Sequence, residues 1–219
     1  MIFTVRIFIL AGFLSIWEYA SANQMIDVFF FSSPSIILKT FVNMILENQL
    51  LTHIKATLFE TILSFLLVNI ISIFTASILW FSANTAKICE PYLILLNSLP
   101  KSALAPLLIV WLGTGTRTII VAGISVALFG AIISIYTGFL QTDPGSVPIL
   151  ISTMKINIGL CLVGVIIGEF LAARQGLGYL IIYGSQVFQL HLVILSILIL
   201  CIIPILFYEL LQLLEKRVN

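Results

Sequence analysis

Glu169 stands near the end of a long apolar run, directly after Gly164 and Gly168, which form a G-x-x-x-G. An ionisable side chain inside a lipid-crossing segment is costly, so it marks either a route for solute or proton or a buried pairing, here with Arg174 as the nearby cation. The two glycines let a neighbouring backbone approach closely. Asn157, about two helical turns before Gly164, is the other polar group of this run able to face a pore. Upstream, the stretch Leu99-Pro100-Lys101-Ser102-Ala103-Leu104-Ala105-Pro106 puts two prolines and a lysine in a second apolar run. Proline removes an internal hydrogen bond, so Pro100 and Pro106 are expected to kink the helix and leave carbonyls in need of partners. Broken membrane helices tend to line cavities. Asn97 and Ser98, just before the prolines, together with Asn157 and Glu169, are therefore candidates for a translocation path, where polar side chains replace lost hydration. The plainer reading is a kink at the helix entry with Lys101 reaching the headgroups.

Other chemistry is absent from the sequence. It contains no P-loop, no G-x-S-x-G elbow and no carboxylates paired at catalytic spacing, so an enzyme is not indicated. Cys89, Cys161 and Cys201 form no C-x-x-C pair and have no histidine nearby, which leaves them as small packing residues and offers no metal site. His53 and His191 lie far apart at the edges of apolar runs and are read as interfacial residues. No bound cofactor is implied.

Those residues need a lipid-embedded scaffold to position them. The chain is 61% hydrophobic and 9% charged with a mean hydropathy of +1.21, against roughly 45–50% apolar and about 25% charged in a soluble domain. The net charge of +1 provides no basic surface for nucleic acid. A crossing needs about 20 mainly apolar residues, and six runs qualify: 2–20, 58–81, 92–112, 118–140, 147–170 and 192–214. Backbone groups in lipid must be paired internally, so each run is a helix and the fold is an all-α polytopic membrane domain spanning 1–219. Ala20-Ser21-Ala22 resembles a cleavage site, but Trp17, Glu18 and Tyr19 before it fit an uncleaved first helix ending in an interfacial belt.

Between the crossings, Ser33-Pro34 opens a segment in which Ile36, Ile37, Phe41, Met44 and Ile45 alternate with Lys39, Asn43 and Glu47, the pattern of an interfacial amphipathic helix. Gly176-Leu177-Gly178-Tyr179-Leu180-Ile181 permits a tight turn before another short apolar run. The Lys and Arg residues divide almost evenly between the two sides, so charge does not orient the chain.

Several stretches occur together in a recognisable order: Glu90-Pro91, LNSLPKSALAPLLIVWLGTGTRT over 96–118, GFLQTDP, and VGVIIGEFLAARQGLGYLI over 163–181. In this order they resemble the permease subunit of bacterial ABC importers of the nitrate, sulfonate and taurine type, over nearly the whole chain from Ala56 onward. The resemblance implies a six-helix type I importer permease of the bacterial inner membrane, with both termini cytoplasmic and working as a homodimer or with a paired permease. It further implies two cytoplasmic ABC ATPase subunits, which alone use ATP, and an extracellular or periplasmic solute-binding protein. On that topology Gly113–Thr116 and Gly176–Ile181 face the binding protein, while Lys87 and the turn QTDPGSVP face the ATPase.

That turn departs from the family. Such permeases continue from Thr-Asp-Pro through a Glu-Ala-Ala motif into a short coupling helix, then a Leu-Pro that opens the fifth crossing. Here Asp143, Pro144 and Gly145 run straight into Ser146-Val147-Pro148, a remnant with the coupling segment missing. Two functions are thus expected of such a chain: a permease carrying a small solute such as a sulfonate, nitrate or a vitamin precursor, or a degenerate permease-like protein that cannot couple to the ATPase. A gradient-driven transporter is less suited, with Glu169 as its only relay-like group.

Overall fold

The computed structural model describes residues 2–142 and 147–218, and its regular elements are all helices. They are α1 (Ile2–Ala22), α2 (Val28–Phe31), α3 (Pro34–Leu46), α4 (Gln49–Phe81), α5 (Ala83–Ser98), α6 (Lys101–Leu112), α7 (Thr116–Gln141), α8 (Val147–Ala172), α9 (Leu177–Gln186) and α10 (Leu190–Val218). Local chemistry sets several starts. Asp27 accepts the Phe29 N–H ahead of α2, and Ser33 accepts the Ile36 N–H ahead of α3, whose first residue is Pro34. Both satisfy amides that a helix leaves unpaired at its N-terminus. Glu18 on α1 accepts from the Ser35 N–H and hydroxyl at 3.0 and 2.8 Å, tying the first helix to the interfacial one.

Helices α1, α4, α7, α8 and α10 are each long and apolar enough to cross a membrane. The expected third crossing, 92–112, is bent far more sharply than a proline kink. It is divided between α5 and α6, which meet at 90°. The break falls at Leu99-Pro100, where the residue before proline is forced into extended backbone (φ −62°, ψ 139°) and Pro100 becomes the N-cap of α6. Pro106 lies within α6, and Pro91 within α5, without ending either helix.

The second crossing also starts earlier than the apolar run at 58 indicates, since α4 begins at Gln49 and runs for 33 residues. At about 1.5 Å per residue this is roughly 50 Å of helix, longer than the ~30 Å hydrocarbon core, so one end extends beyond it.

Helices α4, α7 and α8 form the packed centre. Where lipid is as apolar as leucine, association relies on close backbone approach and on hydrogen bonds between helices. A Cβ on Gly164 would stand 2.7 Å from the Ala122 carbonyl oxygen, and one on Gly168 would stand 2.9 Å from Ile119 Cα, so α8 lies directly against α7. The inner face of α4 is a polar stripe of Thr57, Glu60, Thr61, Ser64, Asn69 and Ser72, all buried, while Phe59, Ile70 and Phe74 point outward. Leucines 177, 180, 192 and 195 join Leu50 and Leu162 to dock α9 and α10 on this centre.

Candidate functional site

The densest polar constellation lies where α4 passes the C-terminal end of α8 and the N-terminal end of α9. The N-cap of α9 is Gly176, which has no side chain to accept the amides of the first turn. Residues from two other helices do so instead. His53 Nδ1 accepts the Gly176 N–H at 3.0 Å, Thr57 Oγ1 accepts the Leu177 N–H at 2.8 Å, and Glu169 Oε2 accepts the Gly178 N–H at 2.6 Å. Thr57 then donates its hydroxyl proton to Glu169 Oε1 at 2.6 Å. A carboxylate at this position also meets the positive end of the α9 dipole.

The glycines are required by this arrangement. Gly176 has φ +123°, and a Cβ there would overlap the Glu169 carboxylate. At Gly178 a Cβ would lie 2.8 Å from Glu169 Oε2. The G-L-G stretch is thus a loop wrapped around a carboxylate, with Leu177 between the glycines fully buried.

Glu60, one turn beyond Thr57 on the same face of α4, is a second buried carboxyl, and its Oε2 has no hydrogen-bond partner among the described residues. It also lines a cavity of about 430 Å³, whose rim carries Thr114, Thr116, Arg174 and Gln175. The loop after α6 and the turn after α8 therefore share one opening.

The proposed pairing of Glu169 with Arg174 is corrected here. Helix α8 ends at Ala172 and the chain turns, leaving Arg174 exposed on the rim, and Glu169 is held by Thr57 and Gly178. Asn157 is buried and donates from Nδ2 to Asn69 Oδ1 at 3.0 Å, joining α8 to α4. Asn97 and Ser98 are exposed on α5, with the Ser98 hydroxyl donating back to the Ile94 carbonyl at 2.8 Å and Lys101 Nζ donating to the Asn97 carbonyl. The candidate path residues are thus in two places, two inside the chain and two on its surface. Asp143, Pro144 and Gly145 lie outside the described residues.

Thr57, Glu60 and Asn69 complete the constellation and were not singled out from the sequence, and His53, read there as an interfacial residue, is instead a cap of α9. A signal for these three was present: Thr57, Glu60 and Asn69 belong to a polar stripe at helical spacing, and Glu60 is an ionisable residue just inside an apolar run.

Comparison with known proteins bears on what this scaffold does. Residues 141–219 match the family model described as binding-protein-dependent transport system inner membrane component. That stretch is therefore similar to a transport-permease domain. It is 26% identical over 219 aligned positions, covering 89% of this chain and 88% of its relative, to a protein of Haemophilus influenzae named as an ABC transporter permease protein. It is 23% identical, over 94% of this chain and 83% of the relative, to a Bacillus subtilis protein named for aliphatic sulfonates transport permease. The taurine transport system permease protein of Escherichia coli is 22% identical over 99% of this chain and 89% of its own length. The all-α chain with several membrane-spanning helices is accordingly a multi-pass inner-membrane protein, and its relatives are permeases rather than enzymes.

These alignments are longer than the part of the chain they take in. In the first two, 89% and 94% of 219 residues are about 195 and 206 residues, set against 219 and 230 aligned positions. About two dozen positions in each relative therefore have no counterpart here.

Proposed function

We propose that this chain is the permease subunit of a binding-protein-dependent ABC importer, forming a path for a small polar solute together with a second copy or a paired permease. The observation that carries the reading is similarity to transport permeases along most of the chain, joined to a matched domain over 141–219. Cytoplasmic ATPase subunits drive it and an external binding protein delivers the solute. Relatives are named for aliphatic sulfonates, formylaminopyrimidine and taurine, and a solute of that small polar class is the one we extend to this chain.

Asn97, Ser98, Asn157 and Glu169 remain the residues proposed for the path. The first two are open to it from the surface of α5. Asn157 and Glu169 meet a solute only if α4 moves away from α8, because both are bonded across that contact. The shared cavity rim formed by Thr114–Thr116 and Arg174–Gln175 supports placing both loops on the side of the binding protein.

The two dozen aligned positions without a counterpart raise a second reading, a permease-like protein that cannot couple to the ATPase. We place this shortfall at the turn after α7, where the family match begins at residue 141 and residues 142–146 are the whole connection. A partner shifts a conformational equilibrium only through contacts that differ between states, so loss of the ATPase-contacting segment uncouples the permease while leaving it folded. The deciding experiment reconstitutes the chain with its cognate ATPase and binding protein. Solute-stimulated ATP hydrolysis and uptake by the unmodified chain support the permease reading. Hydrolysis that appears only after grafting a relative's segment between Pro144 and Gly145 supports the uncoupled one. Failure of both chains rejects a role in this importer class.

A further inference from the structure

The cavity beside α4 holds a buried acceptor that the protein itself does not satisfy. Glu60 is 3% exposed, lies on the cavity wall, and has no hydrogen-bond partner on Oε2 among the described residues. The neighbouring carboxyl is in a different condition. Glu169 receives the Thr57 hydroxyl on one oxygen and the Gly178 amide on the other, both at 2.6 Å. A buried acceptor without a donor is costly, and native structures seldom leave one. The donor that Glu60 lacks can come from a molecule held in the cavity.

The same cavity offers groups of the opposite preference. Arg174 is exposed on its rim, and a guanidinium presents several N–H donors in one plane, a geometry that suits carboxylates and other oxyanions. Gly115 and Thr116, also on the wall, are the N-cap and the first residue of α7. No side chain caps that 26-residue helix, so first-turn amides and the positive end of its dipole lie at this wall. Arg174 does not answer the need of Glu60. The one ion pair among the described residues is Lys155–Glu215, which joins α8 to α10 elsewhere.

The volume of about 430 Å³ falls in the range of small-molecule sites, ~300–1,000 Å³. Ala56, Ala172 and Ala173 help to keep it open, each contributing only a methyl group to the wall. We propose that this cavity binds a small zwitterion, an amine joined by a short linker to a sulfonate or carboxylate, with the amine donating to Glu60 Oε2 and the oxyanion held by Arg174 and the first turn of α7. An oxyanion alone leaves Oε2 without its donor. An amine alone brings nothing to Arg174 or to α7. Both halves are needed to satisfy the cavity.

An occupant bridges α4, the start of α7 and the turn after α8, the end of the helix group that the Thr57–Glu169 bond also holds together. The mouth lies between the loop after α6 and the turn after α8, which makes the cavity reachable from one end of the bundle. Placing it at the entry of a solute path rests on the importer reading above, whereas binding to the chain does not.

The test uses the full-length chain in lipid nanodiscs, without ATPase or binding protein, and follows binding by equilibrium dialysis and calorimetry. The probes are taurine and β-alanine as zwitterions, ethanesulfonate as an oxyanion alone and ethylamine as an amine alone. At least one zwitterion should saturate a single site per chain, about tenfold tighter than either half-molecule. E60Q, which exchanges a carboxyl oxygen for an amide nitrogen that cannot accept, should weaken the zwitterion about tenfold and leave ethanesulfonate unchanged. R174Q, at an exposed position, should weaken the zwitterion and ethanesulfonate alike and leave ethylamine unchanged, and it decides the matter should E60Q not accumulate. Absence of saturable binding by both zwitterions, equal affinity for ethanesulfonate, unaltered affinity in R174Q, or displacement of the zwitterion by sodium but not by choline at equal ionic strength would each overturn the proposal. Zwitterion binding by a chain that fails in the reconstituted importer rejects the importer reading alone, and transport without this binding rejects the site alone.

Discussion

Thr57 and Glu169, 112 positions apart, are joined by a 2.6 Å hydrogen bond in which the threonine hydroxyl donates to the carboxylate. The same hydroxyl accepts the Leu177 amide, so one atom links α4, α8 and the first turn of α9. Any movement of α4 relative to α8 must break this link or carry α9 along. The helix end nearest the cavity therefore acts as a single polar clamp rather than as three separate termini.

The two glycines of the G-L-G turn should be intolerant of a methyl group. Gly178→Ala places Cβ 2.8 Å from Glu169 Oε2, and Gly176→Ala adds an unfavourable φ of +123° to its overlap with the same carboxylate. Overpacking of this kind costs about 1–3 kcal/mol, with Gly176→Ala the more damaging. Gly159→Ala is the control: its Cβ meets nothing within 4 Å in the middle of α8, so it should be neutral or slightly stabilising. Melting temperatures of the three variants in one detergent decide this, and equal losses at all three positions would refute it.

The Asn69–Asn157 bond should behave as a coupled pair. Replacing Asn157 with Leu leaves the buried Asn69 Oδ1 without its donor, a loss of about 0.6–1.7 kcal/mol for an interhelical bond in a membrane protein. The double variant, with Leu at both positions, should lose less than the two single losses added, because both orphaned groups are then gone. A double-mutant cycle on melting free energy gives the coupling, and simple additivity would show that the bond contributes nothing.

The side of each loop is open to direct chemical labelling. Thr116 and Gln175 are exposed on the same cavity rim, while Thr142 is exposed at the opposite end of α7. Single cysteines at these positions, in a background without the three native ones, should show Thr116 and Gln175 labelled from outside the cell and Thr142 protected. Labelling of all three from one side would remove α7 from the set of crossings.

The Lys155–Glu215 pair offers a test at the far end of α8. Its 2.6 Å contact is mostly shielded, with side-chain exposures of 14% and 27%, and Lys155 also lies 5.1 Å from the centre of the Tyr208 ring. Lys155→Met should therefore cost about 0.5–1 kcal/mol, an amount that shrinks with added salt. Tyr208→Leu should weaken the same site without the salt dependence. A Lys155→Met loss that ignores ionic strength would assign the effect to packing alone.

Much of this molecule was readable along the chain because lipid leaves the backbone few choices. Apolar runs of about 20 residues must be helices when no water is present to pair their amides, which is why the runs at 118–140 and 147–170 lie within α7 and α8. Ser33-Pro34 marked the start of α3 for the equally local reason that both residues suit a first helical turn. Gly164 and Gly168 announced a close contact, though not that α7 would make it.

Where proximity depended on residues far apart in sequence, only the tertiary structure decided. Glu169 was legible as a costly charge, but its partners come from α4, more than 100 residues earlier, and from the turn into α9. Arg174, the nearer residue in sequence, is carried to the surface by the end of α8. Prolines 91, 100 and 106 share the same local chemistry, yet the 90° bend falls at Pro100 alone. Hydrophobicity acts on each segment separately and so is written in order along the chain. Hydrogen bonds between helices depend on which faces meet, and that is settled only when α4, α7, α8 and α9 pack together.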